Sequence, residues 1–95
     1  MTVLFNNINA DDTSIEIIGD GGPRIVFIRG DDFGGGNVRI LVAPPNDSLE
    51  RFETLKDGQF VEDTEVHIDY LPSGTKIKVS LVGSVGAENI YVEII

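Results

Sequence analysis

Ninety-five residues suffice for one domain with a modest hydrophobic core, and the absence of cysteine removes disulfides and thiolate metal sites as supplements to it. Seven basic residues against sixteen acidic ones give a net charge of −9. Such a chain repels phosphate backbones and anionic lipid, so neither nucleic acid nor a membrane is expected as a partner.

The opening MTVLFNNINADD has no basic n-region and no long apolar run, so no signal peptide is expected, and synthesis in the cytoplasm follows. No apolar stretch approaches the roughly 20 residues of a membrane helix. Short apolar runs recur instead, separated by Gly, Asp, Asn and Pro. The first strand is expected at Thr2 to Phe5, and residues 1–13 are open between an ordered strand and a flexible arm. The second is expected at Ser14 to Ile18, stopped by Gly19-Asp20-Gly21-Gly22-Pro23. Arg24 to Arg29 follows, and its unbroken Ile25-Val26-Phe27-Ile28 suits a strand covered on both faces. Gly30 to Gly36 reads as a loop, because consecutive glycines are costly inside any element.

Val38 to Ala43 reads as a strand that ends at Pro44-Pro45, since proline removes a ladder donor. The next segment is ambiguous. Asp47-Ser48-Leu49-Glu50 resembles a capping box with Leu49, Phe52 and Leu55 on one helix face, whereas a strand from Arg51 to Leu55 matches its neighbours; the strand is favoured. Thr64 to Leu71 is expected to turn Val66, Ile68 and Tyr70 inward and Glu65, His67 and Asp69 outward. Thr75 to Val82 alternates most cleanly, with Ile77, Val79 and Leu81 opposite Lys76, Lys78 and Ser80. These two strands are expected to form a hairpin across Pro72 to Gly74. Asn89 to Ile95 closes the chain with Ile90, Val92 and Ile94 inward. About eight short strands at this spacing predict one all-β domain over residues 1–95, a small antiparallel β-sandwich of immunoglobulin-like or jelly-roll-like type.

No residue pattern points to chemistry, so an enzyme is not expected. His67 is the only histidine and sits on a polar face between Glu65 and Asp69, a poor place for a catalytic base. One histidine without cysteine is too small a ligand supply for a zinc site. Asp11-Asp12, Asp31-Asp32 and Glu62-Asp63 read as turn acids rather than a glycosidase pair, which needs a deep cleft. The loop acids Asp20, Asp31 and Asp32 leave a structural calcium ion open, although no EF-hand pattern is present. The glycine loop lacks GxxxxGK[ST] and is not a phosphate cradle. No cofactor and no resident metal are therefore expected.

What remains is surface. Phe33, in the glycine loop, is open between an exposed contact residue and a plug on the sandwich end. Tyr91 lies opposite Ile90, Val92 and Ile94 and is expected to be exposed. Ile15, Ile17 and Ile18 cannot all face one side, and Ile95 lies opposite Ile94. Such surplus implies strands covered on both faces or a subunit contact. The candidate interface residues are Phe33, Tyr91, Ile94 and Ile95, and a homo-oligomer is expected, since oligomerisation is the remaining supplement to a small core.

From Gly22 to Ile95, the segments GGPRIVFIRGDDFGGG, VRILVAPPND, RFETLKDGQF, YLPSG, KIKVSLVG and NIYVEII resemble small β-sandwich virion proteins of tailed bacteriophages. That family includes capsid decoration or cement proteins and modules of tails and fibres. Its pattern often has Trp after an Asp-Gly turn, where Phe52 holds the nearest place here. The resemblance implies a non-enzymatic structural protein of the virion, made in the host cytoplasm, which binds the major capsid protein or another virion protein. A trimer would suit local three-fold junctions. The alternative it leaves is a glycan- or receptor-binding module acting through loops around Phe33 and Tyr91.

Overall fold

A computed structural model describes the backbone of residues 1–95 and every side chain except that of Asp57. The chain is all-β. Its nine strands are β1 (Thr2–Ile8), β2 (Asp12–Thr13), β3 (Ile17–Ile18), β4 (Gly22–Arg29), β5 (Asn37–Ala43), β6 (Glu53–Phe60), β7 (Thr64–Leu71), β8 (Lys76–Val82) and β9 (Ile90–Ile94). They form two antiparallel sheets packed as a sandwich. The first has the order β1-β9-β4-β7; the second has the order β2-β8-β5-β6, with β3 also paired to β8.

The core lies between the sheets and follows the two-residue period of the strands. Ile77, Val79 and Leu81 of β8 and Val38 and Ile40 of β5 face Val26 and Ile28 of β4 and Ile90 and Val92 of β9, all fully buried. Each such side chain stabilises the fold by about 1.5–3 kcal/mol relative to exposure. The alternation expected in β9 is present residue by residue; in β8 Ile77, Val79 and Leu81 are buried as expected, but Ser80 on the opposite face is buried too, beside the Thr13 hydroxyl at 3.1 Å. The run Ile25 to Ile28 is covered unequally: Val26 and Ile28 are buried, while Ile25 and Phe27 are half-buried on the outer face.

Three expectations are corrected. The hairpin across Pro72 to Gly74 does not form, because β7 pairs with β4 in one sheet and β8 pairs with β5 in the other. That turn is an arch between sheets. Every connection except β2–β3 and β5–β6 makes the same crossing. A hairpin and an arch use the same turn residues, so alternation on either side does not distinguish them.

Tyr70 is not in the core. Gly22 pairs with Leu71 and Arg24 with Ile68, so β7 carries one residue more than β4 over that interval. This β-bulge reverses the alternation beyond Asp69. Leu71 turns inward and Tyr70 is left 66% exposed.

The stretch Ser14 to Ile18 is not one strand. The Ser14 hydroxyl accepts the Val79 N–H at 2.9 Å, taking the place of a main-chain acceptor in the ladder. The chain then leaves the sheet over Ile15 and Glu16 and returns as β3. A side chain that competes with the backbone for ladder hydrogen bonds is the expected breaker of a short edge strand.

The ambiguous segment is a strand, displaced to Glu53–Phe60. Asp47 serves a turn instead of a helix. Its carboxylate accepts the Leu49 N–H at 3.0 Å and the Arg51 Nε–H at 2.8 Å. The first residues of the chain form β1, where two bulges let the consecutive Leu4 and Phe5 both reach the core.

Candidate functional site

The sandwich has two edges. One is made by β6 and β7, the other by β1 in the first sheet and β2 and β3 in the second. The second edge carries the apolar surplus. Ile17 pairs with Ile77 and packs against the core, whereas Ile18 pairs with Lys76 and is 71% exposed. Ile15, in the segment that leaves the sheet, is 67% exposed. Met1 and Val3 are also exposed along this edge, and Ile95 is exposed at the end of the inner strand β9. Ile17 and Ile18 divide as alternation demands, whereas Ile15, which alternation would set beside Ile17, is exposed because the chain has left the sheet there.

Met1, Ile17, Ile18, Ile94 and Ile95 line a depression of about 270 Å³ where the two sheets part. Ile95 is fixed there by two main-chain hydrogen bonds with Ile25, at 3.1 and 2.9 Å. Arg24 stands on the rim in an ion pair with Asp20. Thr2, Gly19, Asp20 and Arg24 share the lining with the apolar side chains, so the depression is mixed and more polar than apolar. Backbone groups along the outer side of β1 have no neighbouring strand, so a partner strand can add there.

The candidate interface residues do not come together. Phe33 is 8% exposed, and its ring lies beneath Gly30 as a plug on the sandwich end. Ile94 is 3% exposed and belongs to the core, touching the depression only at its floor. Ile95 is on the rim. Tyr91 is half-buried on the outer face of the first sheet, and its hydroxyl donates to Glu93 Oε1 at 2.8 Å. That hydrogen bond, with some burial, raises the phenol above its usual range. Val3 and Met1 carry no sequence signal of their own, because their exposure follows from the position of β1 at an edge.

The loop acids serve separate turns. Asp20 pairs with Arg24 at one end of the sandwich. At the other end, Asp32 Oδ1 accepts the Gly34 N–H at 2.7 Å, and Asp31 Oδ2 accepts the Asn89 Nδ2–H at 2.8 Å. Among the described residues, no three carboxylate or imidazole groups converge at metal-binding distance. His67 is exposed, with Nε2 3.8 Å from Glu65 Oε2.

A concavity of about 680 Å³ lies on the opposite edge between β6 and the β7–β8 arch, with Val42, Leu55 and Leu71 at its apolar floor. Asp47 and Arg51 stand at its mouth. The Arg51 guanidinium holds the Asp47 carboxyl below the usual carboxylate range.

No family model, curated protein sequence or solved structure matches the chain.

Proposed function

We propose that this chain is a non-enzymatic structural protein that binds and stabilises a larger assembly, acting as a decoration or cement protein of a tailed-phage capsid. One observation carries the assembly role: Met1, Val3, Ile15 and Ile18 are exposed along the edge made by β1, β2 and β3, and Ile95 is exposed at the nearby end of the first sheet. Covering them against a partner removes apolar surface from water at about 25 cal/mol per Å². A module bound only to the assembled shell stabilises that shell by mass action. The virion, and the major capsid protein or another virion protein as partner, rest on the sequence resemblance. A homo-oligomer, with a trimer favoured, would place several such edges around a capsomer junction.

The test is direct. Purified chain is mixed with tailed-phage capsids stripped of accessory proteins and sedimented, while light scattering gives its mass in solution. Saturable co-sedimentation that raises the temperature of capsid disruption supports the reading. A chain left in the supernatant at every capsid concentration refutes it.

A further inference from the structure

Arg39 and Lys78 are the anomaly in the charge distribution of this chain. Sixteen acidic residues face seven basic ones, and Arg24, Arg29, Arg51 and Lys76 each hold a carboxylate. Among the described residues, Arg39 and Lys78 hold none, and neither does Lys56, exposed on the edge strand β6. Arg39 and Lys78 are diagonal neighbours on β5 and β8.

The register puts both on the outer face of the second sheet. Val38, Ile40 and Val42 lie opposite Leu81, Val79 and Ile77 and pack into the core. Arg39 and Leu41, opposite Ser80 and Lys78, therefore point away from it. Thr54 and Gln59 of β6 extend this face. Arg39 Nε donates to Asn37 Oδ1 at 2.9 Å, and Lys78 Nζ lies 4.1 Å from the centre of the Phe52 ring. Asp12 and Glu53 lie opposite the inward Leu81 and Val42, outside the face. At one border Lys76 pairs with Glu50 at 2.7 Å, and Glu16 stands beside Glu50. The centre thus carries two cations around the half-buried Leu41 and Phe52.

We propose that this face docks on an acidic protein surface, a patch with carboxylates set around apolar side chains. Cations left without acids, in a chain of net charge −9, are complementary to carboxylates supplied from outside. Leu41 and Phe52 between them match the apolar and aromatic centre of a protein contact, where Arg is also enriched. A nucleic-acid backbone needs more than two cations to offset repulsion by the rest of the chain. A second copy could offer only the outer face of its first sheet, where Glu65 and Glu93 lie on either side of Phe27. That face is on the far side of the same sandwich, so such contacts would stack without closing. The proposal rests on the assembly reading for a protein partner and adds the chemistry of that partner. The measurement below contains no capsid, so either reading can fail alone.

The experiment is an amide NMR titration of the full chain at low salt with a soluble peptide alternating glutamate and leucine, and separately with oligothymidylate. Saturable shifts at Arg39, Leu41, Thr54, Lys78 and Ser80 are expected with the acidic peptide. Raising the salt from about 0.05 M to about 0.5 M should weaken it about tenfold. Arg39→Glu with Lys78→Glu should also weaken it about tenfold, at a melting temperature near that of the parent. Arg51→Glu with Lys56→Glu changes the net charge equally and should leave the shifts in place. Should the first pair unfold the chain, Arg39→Gln with Lys78→Gln replaces it. No saturable shift, shifts on another surface, equal weakening by the two pairs, or oligothymidylate displacing the peptide would overturn the proposal. So would light scattering that shows stacks of the chain dissolved by Arg39→Glu with Lys78→Glu.

Discussion

The two edges of the sandwich face the same problem and solve it differently. An edge strand offers unpaired main-chain groups to any passing strand. On the β6–β7 edge, the exposed side chains include Glu53, Lys56, Gln59, Glu65, His67 and Asp69, and a bulge distorts β7. Charge covers most of that edge, with Tyr70 as its exposed apolar exception. On the β1–β3 edge, the exposed set includes Met1, Val3, Ile15 and Ile18. Asp11, Asp12 and Glu16 are exposed beside them, so this edge carries apolar surface among its charges. The difference teaches where a partner is expected, and substitutions can test it.

The largest effect should come from the core that both edges share. Val79 is fully buried on β8, where β2, β3 and β5 all pair. Val79→Asp places an unpaired carboxylate there at a cost of several kcal/mol, comparable to a total stability of about 5–15 kcal/mol. The expected outcome is an unfolded chain by circular dichroism, with both edges lost. Lys78→Asp, on the outer face, should leave the chain folded and cost about 1 kcal/mol, through loss of the Lys78 ammonium 4.1 Å from the centre of the Phe52 ring.

Gly30→Ala should come next. A Cβ at this position would lie 2.6 Å from Ile90 Cδ1 and 2.9 Å from Phe33 Cε1. The ring must shift, at about 1–3 kcal/mol. The melting temperature should fall while both edges keep their properties. An unchanged melting temperature would mean that Phe33 is not seated as described.

The edge comparison itself is sharpened by Ile15→Lys with Ile18→Lys. Both side chains are exposed, so stability should move by no more than about 0.5 kcal/mol per site. Binding to capsids and self-association should be lost. Glu65→Lys with Asp69→Lys on the other edge should leave both unchanged. If the two double variants behave alike in sedimentation, the edges are not functionally different.

Acid gives the smallest effect. Asp47 and Asp11 are both held below the ordinary carboxylate range, Asp47 by Arg51 and Asp11 first by the Ser84 hydroxyl. Their stabilisation is complete above the unfolded value of about 3.9. It is lost as the pH falls through that value toward the folded one, because the unfolded chain then binds more protons. Melting curves should therefore decline below about pH 4, and less steeply in Asp47→Asn.

Much of the fold is legible in the amino acids alone. The strict alternation of Ile77, Val79 and Leu81 needs only the period of a strand. The surplus at Ile15, Ile17 and Ile18 is equally plain. Its location is not, because it depends on which strand lies at an edge, and strand order is set by packing between distant segments. Tyr70 defeats the alternation rule for a related reason. A single extra residue opposite β4 inverts the pattern, and no residue in Asp69-Tyr70-Leu71 announces it. The polar concavity lined by Asn7, Arg29, Asp31, Asp63, Asn89 and Tyr91 is the least legible feature. Asp31 and Tyr91 stand out singly in the sequence, but Asn7, Asp63 and Asn89 become neighbours only after β9 enters between β1 and β4.

That insertion also orders events on the ribosome. β9 bonds to both β1 and β4, so the first sheet has no centre until residues 90–94 have been made. Until then β1 has no partner and β4 can pair only with β7. The nascent chain thus carries Leu4, Phe5, Val26 and Ile28 uncovered through most of its synthesis. Closure of the sandwich comes after synthesis of β9 and is slow, since nearly every pairing is non-local. A stalled or clipped chain lacking β9 would be a substrate for chaperones and proteases rather than a smaller working domain.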